Sequence, residues 1–348
     1  MVHEVIHPSS GAGSVEASPS MPSCPSGPRL SVVIATDTFE TVRRVLESFS
    51  RQQDPSLLEM ILVAPPGGLS RIDGSLLARF GRVQRVEVPE VQHLARSNAA
   101  GVAAATCPFI CLGETHCFPA PGWTEALLAA HATGATAVLC AIDNLRPDKL
   151  LDTAGYALDY ARIGSHHASG PRPSGLGHNT SYRCEYLRAL GPQLPISLDY
   201  FSEQAHPLFA GLGGTLVFAP DAVAHHASVG GGFHAAFYRF IVGLKLGGSR
   251  RRRWPLLRCC LCFLATPVLP FLIVWRERAH GVGIPDLRFP RPLLLGTMLW
   301  LSVCKCLGEA VGLVFGTPAW ARATEPAMET RRLDFGHGSE PVAVEPRR

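Results

Sequence analysis

Two kinds of block alternate along the first half of the chain. Leu30–Ala35 is a short β-branched run that ends at the polar Thr36-Asp37-Thr38, the pattern of a buried strand running into a loop. Val42, Val45, Leu46 and Phe49 follow at helical spacing. Residues 60–63 predict a second buried strand, closed by Ala64-Pro65-Pro66-Gly67-Gly68, and 83–88 alternate as a third. Residues 94–105 are Ala-rich and helical, Phe109–Leu112 is a fourth strand, 123–131 a helix and 137–142 a fifth strand. Strands and helices alternating at this spacing predict an α/β fold with a doubly wound, mostly parallel sheet. Ligands bind such sheets beyond the carboxyl ends of the strands. The loops after Ala35, Ala64 and Leu112 therefore surround one crevice. No Gly-x-Gly-x-x-Gly follows the first strand and the chain has no P-loop, so neither of those phosphate cradles is indicated.

The pattern then loosens. Residues 164–177 are rich in Gly, Ser, Pro and His and read as a loop; 182–190 and 203–210 read as helices, and 215–218 as a strand. Residues 233–246 place Phe233, Phe237, Phe240, Ile241 and Leu244 on one helical face, ahead of Arg250-Arg251-Arg252-Arg253-Trp254. Residues 256–275 are long enough, at about 30 Å, to cross a bilayer core as a helix, with Pro267 and Pro270 as kinks. A second apolar stretch, 293–316, carries Lys305 and Glu309 one turn apart. Lying behind a basic cluster and Trp254, the two stretches read as a membrane-associated helical hairpin rather than buried core helices, with the preceding domain on the cytoplasmic side.

The expected organisation is a disordered leader at 1–28, an α/β domain at 29–232 and an amphipathic basic helix and linker at 233–254. The hydrophobic hairpin follows at 255–316, and a disordered tail at 317–348. The leader is Ser-, Pro- and Gly-rich without an apolar core, so it is not read as a signal peptide.

Composition agrees with a folded chain that touches a membrane. Hydrophobic residues make up 47% and charged residues 17%, against about 25% charged in ordinary soluble domains. The formal charge of +4 over 348 residues is too small to imply nucleic-acid binding. Eleven cysteines, an odd number at irregular spacing, argue against a disulfide framework. Cys107, Cys111, His116 and Cys117 lack a Cys-x-x-Cys pair, and a zinc site is not favoured.

Several short segments, in order, resemble the family 2 glycosyltransferases of GT-A fold. Leu30 to Thr36 matches the opening strand that meets the nucleotide, and Gln52 or Gln53 a Gln ending the first helix. Ala95-Arg96-Ser97-Asn98 is similar to the family's Ala-Arg-Asn-x-Gly region. Leu112-Gly113-Glu114-Thr115-His116 stands where the family has Asp-x-Asp, and Pro119-Ala120-Pro121-Gly122-Trp123 matches its Pro-Gly-Trp. Gly177 to Arg183 resembles Gly-x-Asn-x-x-x-Arg, Glu203 with Gly211 an acidic residue some positions before a Gly, and Val223-Ala224-His225-His226 a late Val-x-His. The chain departs from the family where Ala64-Pro65 replaces an Asp-rich turn after the second strand, and where Glu-Thr-His replaces Asp-x-Asp.

The resemblance implies an inverting transferase moving a sugar from a nucleotide-sugar donor to a glycan or lipid-linked acceptor. It implies donor contacts at Thr36, Arg96, Asn98 and Asn179, and a general base at Glu203, with Asp199 as its rival. A divalent metal, Mn²⁺ or Mg²⁺, would sit on Glu114 with His116, which shares its face if the segment is extended, and His225, with His226 as the neighbouring choice. One carboxylate with imidazoles suits Mn²⁺ better than Mg²⁺. A metal-free site using Arg96 and helix N-termini is the alternative chemistry. The alternative function is a GT-A-like scaffold or sugar-nucleotide-binding module without catalysis.

Overall fold

The β-branched runs form the strands they predict. The computed structural model describes residues 27–334 apart from 92, 93, 174, 176, 200–209 and 212. Strand β1 (Leu30–Ala35) is buried along its whole length. Helix α1 (Phe39–Phe49) begins where the Thr38 side chain accepts from the Thr41 amide, and it buries Phe39, Val42, Val45, Leu46 and Phe49. Strand β2 (Leu58–Ala64) is again wholly buried, as parallel strands covered on both faces are. Its one charged side chain, Glu59, takes hydrogen bonds from Ser31, Gln84 and Thr106. Burial alone would raise its pKa, but these bonds hold it at about 2. A short helix α2 (Gly74–Leu77) precedes β3 (Arg82–Glu87), whose exposed charges protect a sheet edge. Then come α3 (Leu94–Ala104), β4 (Phe109–Leu112), β5 (Cys117–Pro119), α4 (Trp123–Ala132) and β6 (Ala137–Asn144).

Beyond β6 lie α5 (Leu150–Asp159), β7 (Gly170–Pro171), β8 (Thr180–Arg183), α6 (Cys184–Ala189), α7 (Leu194–Asp199) and β9 (Leu216–His226). The strand order is β3-β2-β1-β4-β8-β6-β9-β5, with β7 pairing β9. β1, β2, β3 and β4 are parallel, and β8 runs antiparallel between β4 and β6. The carboxyl ends of β1 and β4 thus open side by side, as a doubly wound sheet requires.

Three expectations need correction. Residues 182–183 belong to strand β8, and helix begins only at Cys184. The β-prone Thr180-Ser181-Tyr182 finds partners on both sides, and that pairing overrides the helical pattern. The stretch 256–275 is not one span. It is α9 (Leu256–Ala265) and α10 (Leu269–Val282), meeting at 74° around Pro267. The segment 317–334 is no disordered tail: it forms α12 (Ala319–Thr330) and a turn at Arg332–Asp334. The 335–348 remainder, most of the 1–28 leader and residues 203–209 lie outside the described residues.

Between β9 and α12, helix α8 (Gly232–Arg253) runs on through the arginine cluster, and α11 (Arg291–Phe315) packs against it. Glycines make this contact. A Cβ on Gly243 would lie 1.9 Å from the Lys305 carbonyl oxygen, and one on Gly308 2.0 Å from that of Phe240. Small residues four apart on both helices bring the backbones together. Among the described residues α11 is the one single helix long and apolar enough to cross a membrane; α9 and α10 pass that test only as a bent pair. Leu256, Leu257, Leu264, Phe271, Trp275 and Phe315 are exposed large apolar side chains on these helices.

Candidate active site

The tight turn after β4 brings Glu114 and His116 to the carboxyl edge of the sheet. The Gly113 amide donates to the Val33 carbonyl at 2.8 Å, so the turn starts directly over β1. Strand β9 ends at the same place, with the Ala227 amide on the His116 carbonyl at 3.0 Å. Glu114, His116 and His226 each offer a ligand atom within 4.8 Å of the others. Nε2 of His116 is 3.8 Å and Nε2 of His226 3.7 Å from Glu114 Oε2. His178 Nε2 lies 3.9 Å from the other carboxylate oxygen.

His226, not His225, therefore joins the cluster. Neighbours on an extended strand point to opposite faces, and His225 is the partly exposed one, paired in register with Phe118 and Asp143. Asn179, at φ 50°, donates its side-chain amide to Glu114 Oε2 at 2.7 Å. Its backbone amide donates to the Leu112 carbonyl at 2.7 Å. Asn is among the few residues that adopt this left-handed conformation readily.

The roof comes from the C-terminal segment. The Thr115 hydroxyl donates to the Thr330 carbonyl at 2.7 Å. Arg332 is buried and ion-paired with Glu329; it donates to the Tyr238 hydroxyl at 2.7 Å and to His226 Nε2 at 3.3 Å. Arg331 pairs with Asp37 at the end of β1. Burial, then the positive field of Arg332, keeps His116 and His226 well below the usual imidazole pKa. Both rings are thus neutral at pH 7, the form that binds metal.

These residues suit a divalent cation by their chemistry. Neither ring nitrogen of His116, nor Nδ1 of His226, has a hydrogen-bond partner. Buried imidazoles without partners are costly unless something else takes their lone pairs. Arg332 and the Tyr160 hydroxyl oppose the fit in part, because they lie 3.3 and 3.2 Å from His226 Nε2 and compete for its lone pair.

The cluster opens into a cavity of about 710 Å³, lined on the sheet side by Ala35, Ala95 and Asn98 and on the loop side by Gly177 and His178. That is the size of a nucleotide or cofactor site. Asn98 Oδ1 is buried there without a hydrogen-bond partner. Thr36 and Arg96 do not line the cavity. Thr36 is buried, its hydroxyl donating to the Thr38 carbonyl at 2.8 Å, and Arg96 faces solvent. Glu203 lies outside the described residues, and so does the side chain of Asp199. Sequence reasoning missed Tyr160, Tyr238, Glu329 and Arg332, which carry no local signal: three lie far from the sheet motifs along the chain.

The matched segments have structural roles as well. Gln52 accepts from the Thr124 amide at 3.1 Å and donates to the Ala120 carbonyl at 2.9 Å, tying α1 to the turn that opens α4. Trp123 packs there edge-on against Phe49, ring centroids 5.5 Å apart.

No curated protein matches the chain. Among solved structures, the mannosyltransferase PcManGT from Pyrobaculum calidifontis, in complex with GDP-Man and Mn²⁺, superimposes with a TM-score of 0.50 at 18% identity, covering 84% of this chain and 88% of that one. S. aureus TarS 1-349 gives 0.44 at 13% identity, over 62% of this chain and 63% of that one. The chain thus spans less than two thirds of that relative, and 39% of the longer TarS. The first of these likenesses identifies the fold as GT-A-like. Residues 31–191 match the profile of glycosyl transferase family 2, so that segment is similar to this family.

Proposed function

We propose that the protein is an inverting, metal-assisted hexosyltransferase. It would take a sugar from a nucleotide-sugar donor to a glycan or lipid-linked acceptor at the cytoplasmic face of a membrane. The observation that carries this reading is the Glu114–His116–His226 cluster opening into the cavity below β1 and β4. A divalent cation held by Glu114, His116 and His226 would supply charge neutralisation for the leaving diphosphate. Mn²⁺ suits two imidazoles and one carboxylate better than Mg²⁺ does, and the PcManGT complex holds Mn²⁺ with GDP-Man.

Asn179 orients Glu114, and Arg332 with Glu329 closes the site against water. The anomeric C–O bond to the diphosphate breaks with its electron pair leaving on the nucleotide. The acceptor oxygen forms the new bond and its proton passes to a carboxylate, for which Glu203 is our choice. The exposed apolar faces of α9, α10 and α11 support membrane attachment.

A second reading is favoured by one contact. Arg332, together with the Tyr160 hydroxyl, competes for the His226 lone pair that a cation needs, as expected of a binding module that has given up catalysis.

One experiment separates the two: hydrolysis of UDP-, GDP- and dTDP-sugars by the detergent-solubilised full chain with Mn²⁺, Mg²⁺ or EDTA. Mn²⁺-dependent nucleotide release, lost in Glu114→Ala, supports the transferase. Tight nucleotide-sugar binding without turnover, even with candidate acceptors, supports the binding module.

A further inference from the structure

The cavity has walls of unlike chemistry. The sheet side brings Glu114 and the histidines. The helical side is lined by Lys245 and Arg250 of α8, Arg276 of α10 and Lys305 of α11, with Glu325 of α12 among them. The acids around this wall are already engaged. Glu325 pairs with Lys245 at 3.0 Å, Glu309 with Arg250, and Asp159 with Arg239 at 2.7 Å. Lys305 lines the cavity and makes no hydrogen bond or ion pair with any described residue. Glu277 is shared by two guanidiniums, Arg162 and Arg276, so one carboxylate balances two cations. The wall therefore carries positive charge in excess at Lys305 and Arg276.

Desolvating a charge without a counterion is costly, and such excess charge at a cavity is relieved by an anion. The surroundings say what is attached to that anion. Arg276 emerges from α10 beside Phe271, Leu272 and Trp275, which are exposed to 59%, 54% and 64%. An ordinary soluble anion has no use for that surface; an anion on an apolar tail does.

We propose that Lys305 and Arg276 bind the phosphate head group of an amphiphile whose tail lies along α9 and α10. Its role as the sugar acceptor rests on the transferase reading above; its binding does not. Phosphate fits the wall because two separated cations can share its oxygens, and Arg276 can engage two at once.

The test is titration of the full chain in a nonionic detergent with dodecyl phosphate, dodecanol and inorganic phosphate. Dodecyl phosphate should bind at least tenfold tighter than either other probe. Lys305→Met and Arg276→Gln should each weaken it about tenfold, while Mn²⁺ binding persists. Arg276 is largely exposed, so its variant keeps the test decisive if Lys305→Met does not fold. Equal affinity for dodecanol, or an unchanged affinity in Arg276→Gln, overturns the proposal. Inorganic phosphate binding as tightly overturns the amphiphile and leaves a simple anion site. Dodecyl phosphate binding that needs Arg276, in a protein that binds no nucleotide sugar, sinks the transferase reading and leaves this one standing.

Discussion

The side-chain amide of Asn179 sits 2.7 Å from Glu114 Oε2, joining the loop before β8 to the turn after β4. A carboxylate so fixed keeps its other lone pairs aimed at the two imidazoles. Groups that orient a metal ligand in this way are worth about 10–100-fold in metal affinity. Asn179→Ala should weaken Mn²⁺ binding by that factor in calorimetry. Asn179→Gly, which keeps the left-handed backbone, should show the same loss, because the amide is what matters.

The two adjacent histidines should separate cleanly. His226→Ala should abolish measurable Mn²⁺ binding. His225→Ala, on the other side of β9, should leave the Mn²⁺ affinity within about twofold of the parent. Equal losses in both would mean that the strand end, and not the imidazole, is what was disturbed.

Arg332 competes with any cation for the site. Its guanidinium bonds the His226 Nε2 lone pair and adds a like charge close by, worth several kcal/mol near a buried pair. Arg332→Gln should therefore tighten Mn²⁺ binding, by tenfold or more. Weaker binding in this variant would show that the arginine holds the ligands in place instead.

His131 gives a pH signature. Its Nδ1–H donates to the Ala135 carbonyl at 3.1 Å and its Nε2 accepts from the Ser181 hydroxyl at 2.9 Å. Burial pulls its pKa down to about 4 from the ordinary 6.5. Below pH 6.5 the unfolded chain binds a proton that the folded one refuses. Stability is therefore full above 6.5 and falls as the pH drops from 6.5 towards 4, by roughly 3 kcal/mol from this residue. His116 and His226, lowered in the same direction, steepen the fall. In urea melts, His131→Phe should be less stable than the parent at pH 7, by about 1–3 kcal/mol for the lost hydrogen bonds. Between pH 7 and pH 5 it should lose about 2 kcal/mol less than the parent does.

Two glycines on α11 should respond with opposite signs. A methyl at Gly308 meets the Phe240 backbone at 2.0 Å, so Gly308→Ala must push two helices apart, at about 1–3 kcal/mol or more. A methyl at Gly296 meets nothing within 4 Å, and Gly296→Ala should gain up to about 1 kcal/mol from helix propensity. Thermal melts in one detergent compare them directly.

The sheet was legible because each buried parallel strand is a continuous apolar run: Leu30–Ala35 and Phe109–Leu112 start and stop where the sequence pattern does. Glu114 and His116 were legible from their place after β4. His226 was ambiguous with His225 because one residue of register on a strand changes the face it shows, and β9 bulges at residues 220–222, so alternation cannot be counted through it. Arg332 and Glu329 were illegible because their order comes from buried ion pairs and not from a hydrophobic period. A segment of that kind reads as a polar tail until its partners are known.

The roof has a practical consequence for dissecting the molecule. Thr115 is tied to Thr330 and Asp37 to Arg331, so the turn at the end of α12 is stitched to the loops after β1 and β4. A truncation that trims the apolar helices to obtain a soluble fragment of 31–191 would remove His226 with β9, strip Tyr238, Glu329 and Arg332, and open His116 to solvent. Such a fragment, even if it folded, would report the chemistry of an unroofed pocket. Its inactivity would say nothing about the intact chain, and metal titrations on it would describe a different ligand field.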